Sequence, residues 1–349
     1  MKTVRTVLAQ AATRHSHIHQ IDVYNAFLQG DLFNEIYMTL PQGFTSQGEN
    51  KVCRLVKSLY GLKQAPRQWN AKLTEALLGS QFQQSQYDHS LFFKKTTEGI
   101  TMVLIYVDDM LITGDCLRLI EETKANLQQA FKMKDLGELK YFLGIEFARS
   151  KQGILMHQRK YALELVSEIG LAAAKPAITP LDANMKLTTT EYDEHLRRTK
   201  PTALLDEELS DSTPYQRLIG KLLYLTMTRP DISFSVQTLS YILQKSKKSH
   251  VEATLRIVKY IKNSPGQGIL LSSKCNSTIS AYCDADWAAA HTQENLSQQI
   301  TVSRSSAEAE YRSLAATMAE LIWLVGFLKE VGVDTQLPVE IFSDSKGAM

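Results

Sequence analysis

Two apolar runs, Val103-Leu104-Ile105-Tyr106-Val107 and Met110-Leu111-Ile112-Thr113, enclose the adjacent acids Asp108 and Asp109. Strand-forming runs separated by so short a break predict a β-hairpin with two carboxylates at its tip. Two neighbouring carboxylates repel, and the cost grows as they are buried, unless cations compensate it. Asp22 stands likewise at the end of an apolar strand, Ile18 to Val23. Three such acids can hold two divalent cations roughly 3.5–4 Å apart. Asp is also common in plain turns, so the pair alone does not decide between the two readings.

The chain has 349 residues, enough for two or three domains with their own cores. Its 39 basic and 37 acidic side chains leave a net charge of +2, too small to argue a nucleic-acid partner from the total. No apolar run is read as a bilayer span, and Met1 is followed by Lys2 and Arg5 without an apolar signal core. The expectation is a soluble intracellular chain with no membrane partner. Cys53, Cys116, Cys275 and Cys283 show no CxxC pairing, which argues against a zinc site or a disulfide framework. His15, His17 and His19 alternate as a metal comb would, but they read better as a solvated approach to a strand.

Periodicity predicts a helix over 1–14 and strands over 18–23 and 52–59. A helix follows over 66–78, with Pro66 in its first turn and Trp69, Leu73, Ala76 and Leu77 on one face. Strands are expected over 91–95, 101–113, 139–147 and 153–157, and helices over 117–131 and 159–170. Residues 175–213 hold Pro176, Pro180, Pro201 and dense charge, and read as a linker or long surface loop. Helices follow over 215–225, 232–244 and 249–263, then strands over 268–272 and 278–282, a helix over 305–331 and a strand over 339–342. Strands interleaved with helices make this an α+β chain. Lys245, Lys247, Lys248, Arg256, Lys259 and Lys262 gather around the helix over 249–263. They are read either as a track for phosphates or as a charged solvent face.

Several segments together resemble the polymerase of copia-type LTR retrotransposons. Gln20-Ile21-Asp22-Val23-Tyr24-Asn25-Ala26-Phe27-Leu28-Gln29-Gly30-Asp31-Leu32 is similar to that family's first carboxylate motif. Ser58-Leu59-Tyr60-Gly61-Leu62-Lys63-Gln64-Ala65-Pro66-Arg67-Gln68-Trp69 resembles its template- and nucleotide-positioning motif, and Tyr106 to Asp109 its third. Leu143-Gly144-Ile145 resembles the hairpin that grips the primer. Pro214 to Leu225, with Thr228-Arg229-Pro230-Asp231-Ile232, is similar to the connecting region.

The resemblance implies a polymerase palm, an antiparallel sheet with helices, with partial fingers over 1–157. It also implies thumb and connection helices over 158–265. An incomplete ribonuclease H-like α/β domain is expected over 266–349. It further implies RNA-directed DNA synthesis on a template-primer from deoxynucleoside triphosphates, in cytoplasm or nucleus. Asp22, Asp108 and Asp109 would hold two Mg2+ ions. Phe27 would lie under the sugar and exclude a 2′-hydroxyl. Gln64 would contact nucleotide or template, Gly61 would admit close backbone approach, and Tyr106, Leu143 and Gly144 would meet the primer.

At the other end, Ala281-Tyr282-Cys283-Asp284-Ala285-Asp286-Trp287, Ser305 to Tyr311 and Ile341-Phe342-Ser343-Asp344-Ser345 resemble the family's ribonuclease H domain. Asp284, Glu310 and Asp344 would be ligands of a second two-metal site. The sequence departs from the family between Trp287 and Thr301, where two strands are replaced by a short polar segment. It departs again at Met349, before the final acidic ligand, and ahead of Asp22, where the family carries more of the fingers. These departures imply a degenerate nuclease site and leave two readings open. One is an active polymerase fragment; the other is a non-catalytic, domesticated nucleic-acid-binding remnant. A two-metal palm of another kind, such as a nucleotide cyclase, is disfavoured by the Leu-Tyr-Gly-Leu-Lys-Gln and Asp-Ala-Asp-Trp segments.

Overall fold

The structure, a computed structural model, describes residues 1–41, 43–44, 51–182, 187–188, 190, 193, 198, 206–274, 278–283 and 306–343, the last from 308 onward with side chains. The N-terminal half is built on an antiparallel sheet of order β4-β5-β6-β7-β1-β8. Its strands are β1 (His17–Val23), β4 (Gln83–Gln84), β5 (Leu91–Thr96), β6 (Gly99–Tyr106), β7 (Asp109–Gly114) and β8 (Met133–Glu138). Both faces of this sheet are covered, which explains the unbroken apolar run in β6. Met102 and Leu104 face one core, while Val103 and Ile105 face the other.

The second of these cores receives helices α3 (Ala65–Gly79) and α4 (Leu117–Ala130), through Trp69, Leu73, Leu77, Ile120 and Leu127. The first receives α1 (Lys2–Thr13), whose Val4, Val7, Leu8 and Ala11 recur at helical spacing. It also receives a second antiparallel sheet, of order β12-β11-β10-β9. That sheet comprises β9 (Tyr141–Phe142), β10 (Ile145–Ser150), β11 (Gly153–His157) and β12 (Gly268–Ser272). The strand expected over 139–147 is thus two strands with a turn at Leu143-Gly144. The strand at 268–272 is hydrogen-bonded to β11, with Leu155 opposite Leu270, so it belongs to this sheet. A short helix α2 (Ala26–Gln29) follows β1, and β2 (Tyr37–Thr39) pairs with β3 (Val52–Arg54) as a separate ribbon.

A third core is wholly helical. It joins α5 (Arg159–Glu168), α6 (Thr213–Leu225), α7 (Ser233–Ser240) and α8 (Lys248–Asn263). Burial of the Tyr215 phenol among these helices pushes its pKa up to about 12, and its hydroxyl donates to the Leu239 carbonyl at 2.7 Å. Four of the six basic residues gathered around α8, read either as a phosphate track or as a charged solvent face, have partners within the chain. Arg256 donates to the Thr179 carbonyl and hydroxyl at 3.2 and 2.9 Å. Lys262 donates to the carbonyls of Ala172 and Ala174, both at 2.6 Å. Lys247 is buried and donates to Thr188 and Asp193, while Lys248 pairs with Glu207. The described parts of the 175–213 segment are therefore strapped to α8. Burying apolar Leu181 and Leu187 against the third core adds to that attachment.

The long helix α9 (Ser306–Glu330) connects β13 (Ser280–Cys283) to β14 (Glu340–Ser343), which pair in parallel. Parallel neighbours require such a crossover. The expectation that no segment is long and apolar enough to span a bilayer fails for α9. Its stretch Glu308–Glu330 is long and apolar enough by length and composition. In this fold the end of that helix docks on the N-terminal half. Phe327 and the following Val331 are buried in the first core, and Trp323 donates to the Tyr87 carbonyl at 3.0 Å. Glu330 accepts from Ser85 and from the Gln86 amide.

Candidate active site

Strand β6 ends at Tyr106 and β7 begins at Asp109, so the hairpin loop is Val107-Asp108. Asp109 is paired with Tyr106 on one side and with Asp22 of β1 on the other. Asp22 is in turn opposite Lys134 of β8. Directly opposed residues in an antiparallel sheet share a face. Tyr106, Asp109, Asp22 and Lys134 thus form one row across four strands, with Asp108 beside it in the turn. The three acids are half-buried at the end of a sheet whose central strands β6 and β7 are largely apolar.

Their charges act on one another. Burial, then the neighbouring Asp108 carboxylate, pushes the Asp109 carboxyl up, and Asp22 adds to the effect; a hydrogen bond from Gln20 opposes it. Among the described residues, no three His, Cys, Asp or Glu side chains form a ready-made metal cluster. The backbone nonetheless brings three hard oxygen donors together, the chemistry that suits Mg2+. The alternating histidines do not make a second site. His19 is buried against Lys124, whose ammonium donates to Nδ1 at 2.7 Å. Burial and then that positive charge lower the His19 pKa.

The loop backbone is unusual. Val107 has φ of 59°, at a hairpin position that favours glycine. A β-branched residue in the left-handed region is a genuine outlier. Two hydrogen bonds hold it there: the Trp69 indole donates to the Val107 carbonyl at 2.7 Å, and the Val23 amide donates to the Asp108 carbonyl at 2.9 Å.

Phe27 lies on α2 with its ring centroid 4.7 Å from that of Tyr60, the planes tilted by 54°. Partial burial, then the charges of Asp108 and Asp22, raises the Tyr60 pKa, so this phenol lies within electrostatic reach of the acids. Gly61 has φ of 91° and open space where a side chain would begin. Its glycine is required by the backbone angle. Gln64 stands at the N-cap of α3 and makes no side-chain cap. Tyr106 is exposed beside Asp109.

Leu143 and Gly144 lie on the second sheet, in the turn between β9 and β10, with φ of 51° and 73°. The Tyr224 hydroxyl of α6 donates to the Leu143 carbonyl at 2.8 Å. It also stands 1.7 Å from where a Cβ on Gly144 would be. At the C-terminal end, Cys283 is opposite Ser343 across the parallel pair. Asp284 and Asp344 follow these residues in sequence and lie outside the described residues, as does the 288–300 segment; Glu310 is on α9.

Sequence reasoning assigned no role to Tyr60, Trp69 as a donor, or Tyr224. Tyr60 and Trp69 lie within the Ser58-to-Trp69 motif, but a hydrogen bond to a carbonyl leaves no periodic signature.

Residues 1–183 match the reverse transcriptase (RNA-dependent DNA polymerase) family. The chain is 39% identical to the retrovirus-related Pol polyprotein from transposon RE1 of Arabidopsis thaliana, over 99% of its own length and 24% of that polyprotein. It is 34% identical to the Pol polyprotein from transposon TNT 1-94 of Nicotiana tabacum, over 100% of its length and 27% of that protein. A putative transposon Ty5-1 protein of Saccharomyces cerevisiae is 32% identical over 78% of this chain and 84% of the yeast protein. The chain spans about a quarter of the length of the two plant polyproteins. Its mixed helices and antiparallel sheets are consistent with that family, and the chain belongs to the reverse transcriptases of copia-type retrotransposon Pol polyproteins.

Proposed function

We propose that this chain is the RNA-directed DNA polymerase segment of a copia-type retrotransposon, extending a primer on RNA or DNA by two-metal nucleotidyl transfer. The observation that carries the reading is the direct pairing of Asp22 with Asp109 across β1 and β7, with Asp108 next in the turn. These three carboxylates would hold two Mg2+ ions. When bound, the pair supplies Lewis-acid activation of the primer 3′-hydroxyl and neutralises the departing pyrophosphate. Phe27, backed by Tyr60, presents a bulky ring that would reject a 2′-hydroxyl. Tyr106, exposed in the same row, and the Leu143-Gly144 turn would seat the primer end. In this reading 1–157 is the palm with partial fingers and 158–265 the thumb and connection.

The ribonuclease H-like domain expected over 266–349 is assigned to 278–349, since β12 belongs to the sheet of β9–β11, with a degenerate site drawn from Asp284, Glu310 and Asp344. The parallel β13–β14 pair bridged by α9 supports that assignment.

The test is primer extension on poly(rA)/oligo(dT) with Mg2+. The wild-type chain is expected to incorporate dTTP and Asp108→Asn to fall to background. Equal incorporation by both would leave the non-catalytic nucleic-acid-binding reading in its place. Cleavage of hybrid RNA is expected to be undetectable, and metal-dependent cleavage abolished by Asp284→Asn would contradict the degenerate-site assignment.

A further inference from the structure

We propose that Trp69 is a positioning residue: its indole N–H clamps the Val107-Asp108 loop in a backbone conformation that valine would otherwise leave. The inference rests on the polymerase reading for its catalytic consequence, but the clamp itself stands on geometry.

Val107 has a left-handed φ of 59° at a position where a Cβ is penalised. Its carbonyl is the acceptor of the Trp69 indole at 2.7 Å. The donor is held in the core. Trp69 is 2% exposed, belongs to the core between the sheet and α3, and meets Phe131 edge-on, with ring centroids 5.2 Å apart and planes at 82°. A buried indole N–H needs a partner, and here the partner is the carbonyl one residue before Asp108. The Val23 amide holds the next carbonyl, one residue beyond Asp22. Both hydrogen bonds therefore fix the spacing between the acids of the turn and the acid of β1. Without the indole bond, Val107 would relax toward negative φ and carry Asp108 with it. Positional errors of about 1 Å at a reacting centre cost up to on the order of a hundredfold in rate.

The experiment is a double-mutant cycle on the full chain with Trp69→Phe and Val107→Gly. Phenylalanine keeps a ring in the core and removes the donor, and glycine takes positive φ without penalty. Trp69→Phe is expected to lower kcat for dTTP incorporation about tenfold or more, with KM for dTTP unchanged. In the Val107→Gly background the same substitution is expected to change kcat by less than about twofold, because nothing strained remains to be clamped. A merely structural tryptophan would lose the same factor in both backgrounds, and that result overturns the proposal. So does an unchanged kcat in the Val107 background.

The four chains are also melted. Trp69→Phe is expected to lower the Tm less in the Val107 background, where relaxation of Val107 recovers its backbone strain, than in the Val107→Gly background, and an equal lowering in both overturns the clamp. If the wild type shows no Asp108-dependent incorporation, it is the polymerase reading that fails, and the melting cycle alone then decides the clamp.

Discussion

The two turns proposed to seat the primer end solve the same backbone problem with different parts. Each contains a non-glycine residue at positive φ, Val107 at 59° and Leu143 at 51°. In each, the carbonyl of that residue accepts a hydrogen bond from the polar tip of an aromatic side chain on a neighbouring helix. The donors are Trp69 at 2.7 Å and Tyr224 at 2.8 Å. The difference lies in where the donor is rooted. Trp69 belongs to the same core as the strands that form its turn, whereas Tyr224 comes from the separate helical unit. One turn is thus set locally, and the other is set only when two parts of the chain are docked. The Tyr224 phenol is accordingly half-buried between units, and burial raises its pKa.

The largest effect should come from Gly144→Ala. The left-handed backbone costs about 1–2 kcal/mol for alanine. The added Cβ also displaces the Tyr224 hydroxyl, losing about 1 kcal/mol more. Urea unfolding is the measure, and a cost below that of the backbone alone would break the parallel. Tyr224→Phe should cost about 1 kcal/mol by itself, and in that background Gly144→Ala should cost less than in wild type. Simple additivity would show that the hydroxyl and the glycine do not share the turn.

The smallest effect sharpens the comparison electrostatically, since only the Asp-bearing turn carries opposed carboxylates. Asp109 has its folded pKa raised, first by burial and then by Asp108. A raised carboxyl contributes stability below its unfolded pKa and loses it as pH rises through the folded pKa. Asp109→Asn should therefore melt higher than wild type at neutral pH, with the gain vanishing in acid. Added Mg2+ should shrink the gain by stabilising the wild type. A gain that persists at low pH would mean the effect is packing and not charge.

Most of this architecture was legible in the sequence because buried faces repeat. The hairpin, β11, α3 and α4 lie within a residue or two of their expected limits. Met133 to Glu138 was missed as a strand, because its side chains are largely exposed and show no alternating apolar pattern. It pairs with β1 through the backbone, and its register shifts near Gln20 and Ile21. The strand expected over 52–59 shrinks to Val52–Arg54, a ribbon with little core to hold it. The α8 cations left two readings open for a related reason. Charge spacing on a helix says which side faces away from the core, but not that another segment of chain lies over that side. Site chemistry followed the same division: the acids were readable from their motif, while the aromatic donors that shape both turns were not.

The docking of α9 bears on how such a chain acquires its fold. Phe327 and Val331 complete a core begun by Val4, Val7 and Leu8, and Lys2 pairs with Glu320. On a ribosome, the apolar face formed by α1, Leu91 and Phe93 must wait for residues more than two hundred positions later before it is fully covered. Contacts that close so late carry a large loop-closure cost and slow folding. Until they form, that face is open to other nascent chains, and aggregation competes with completion of the first core.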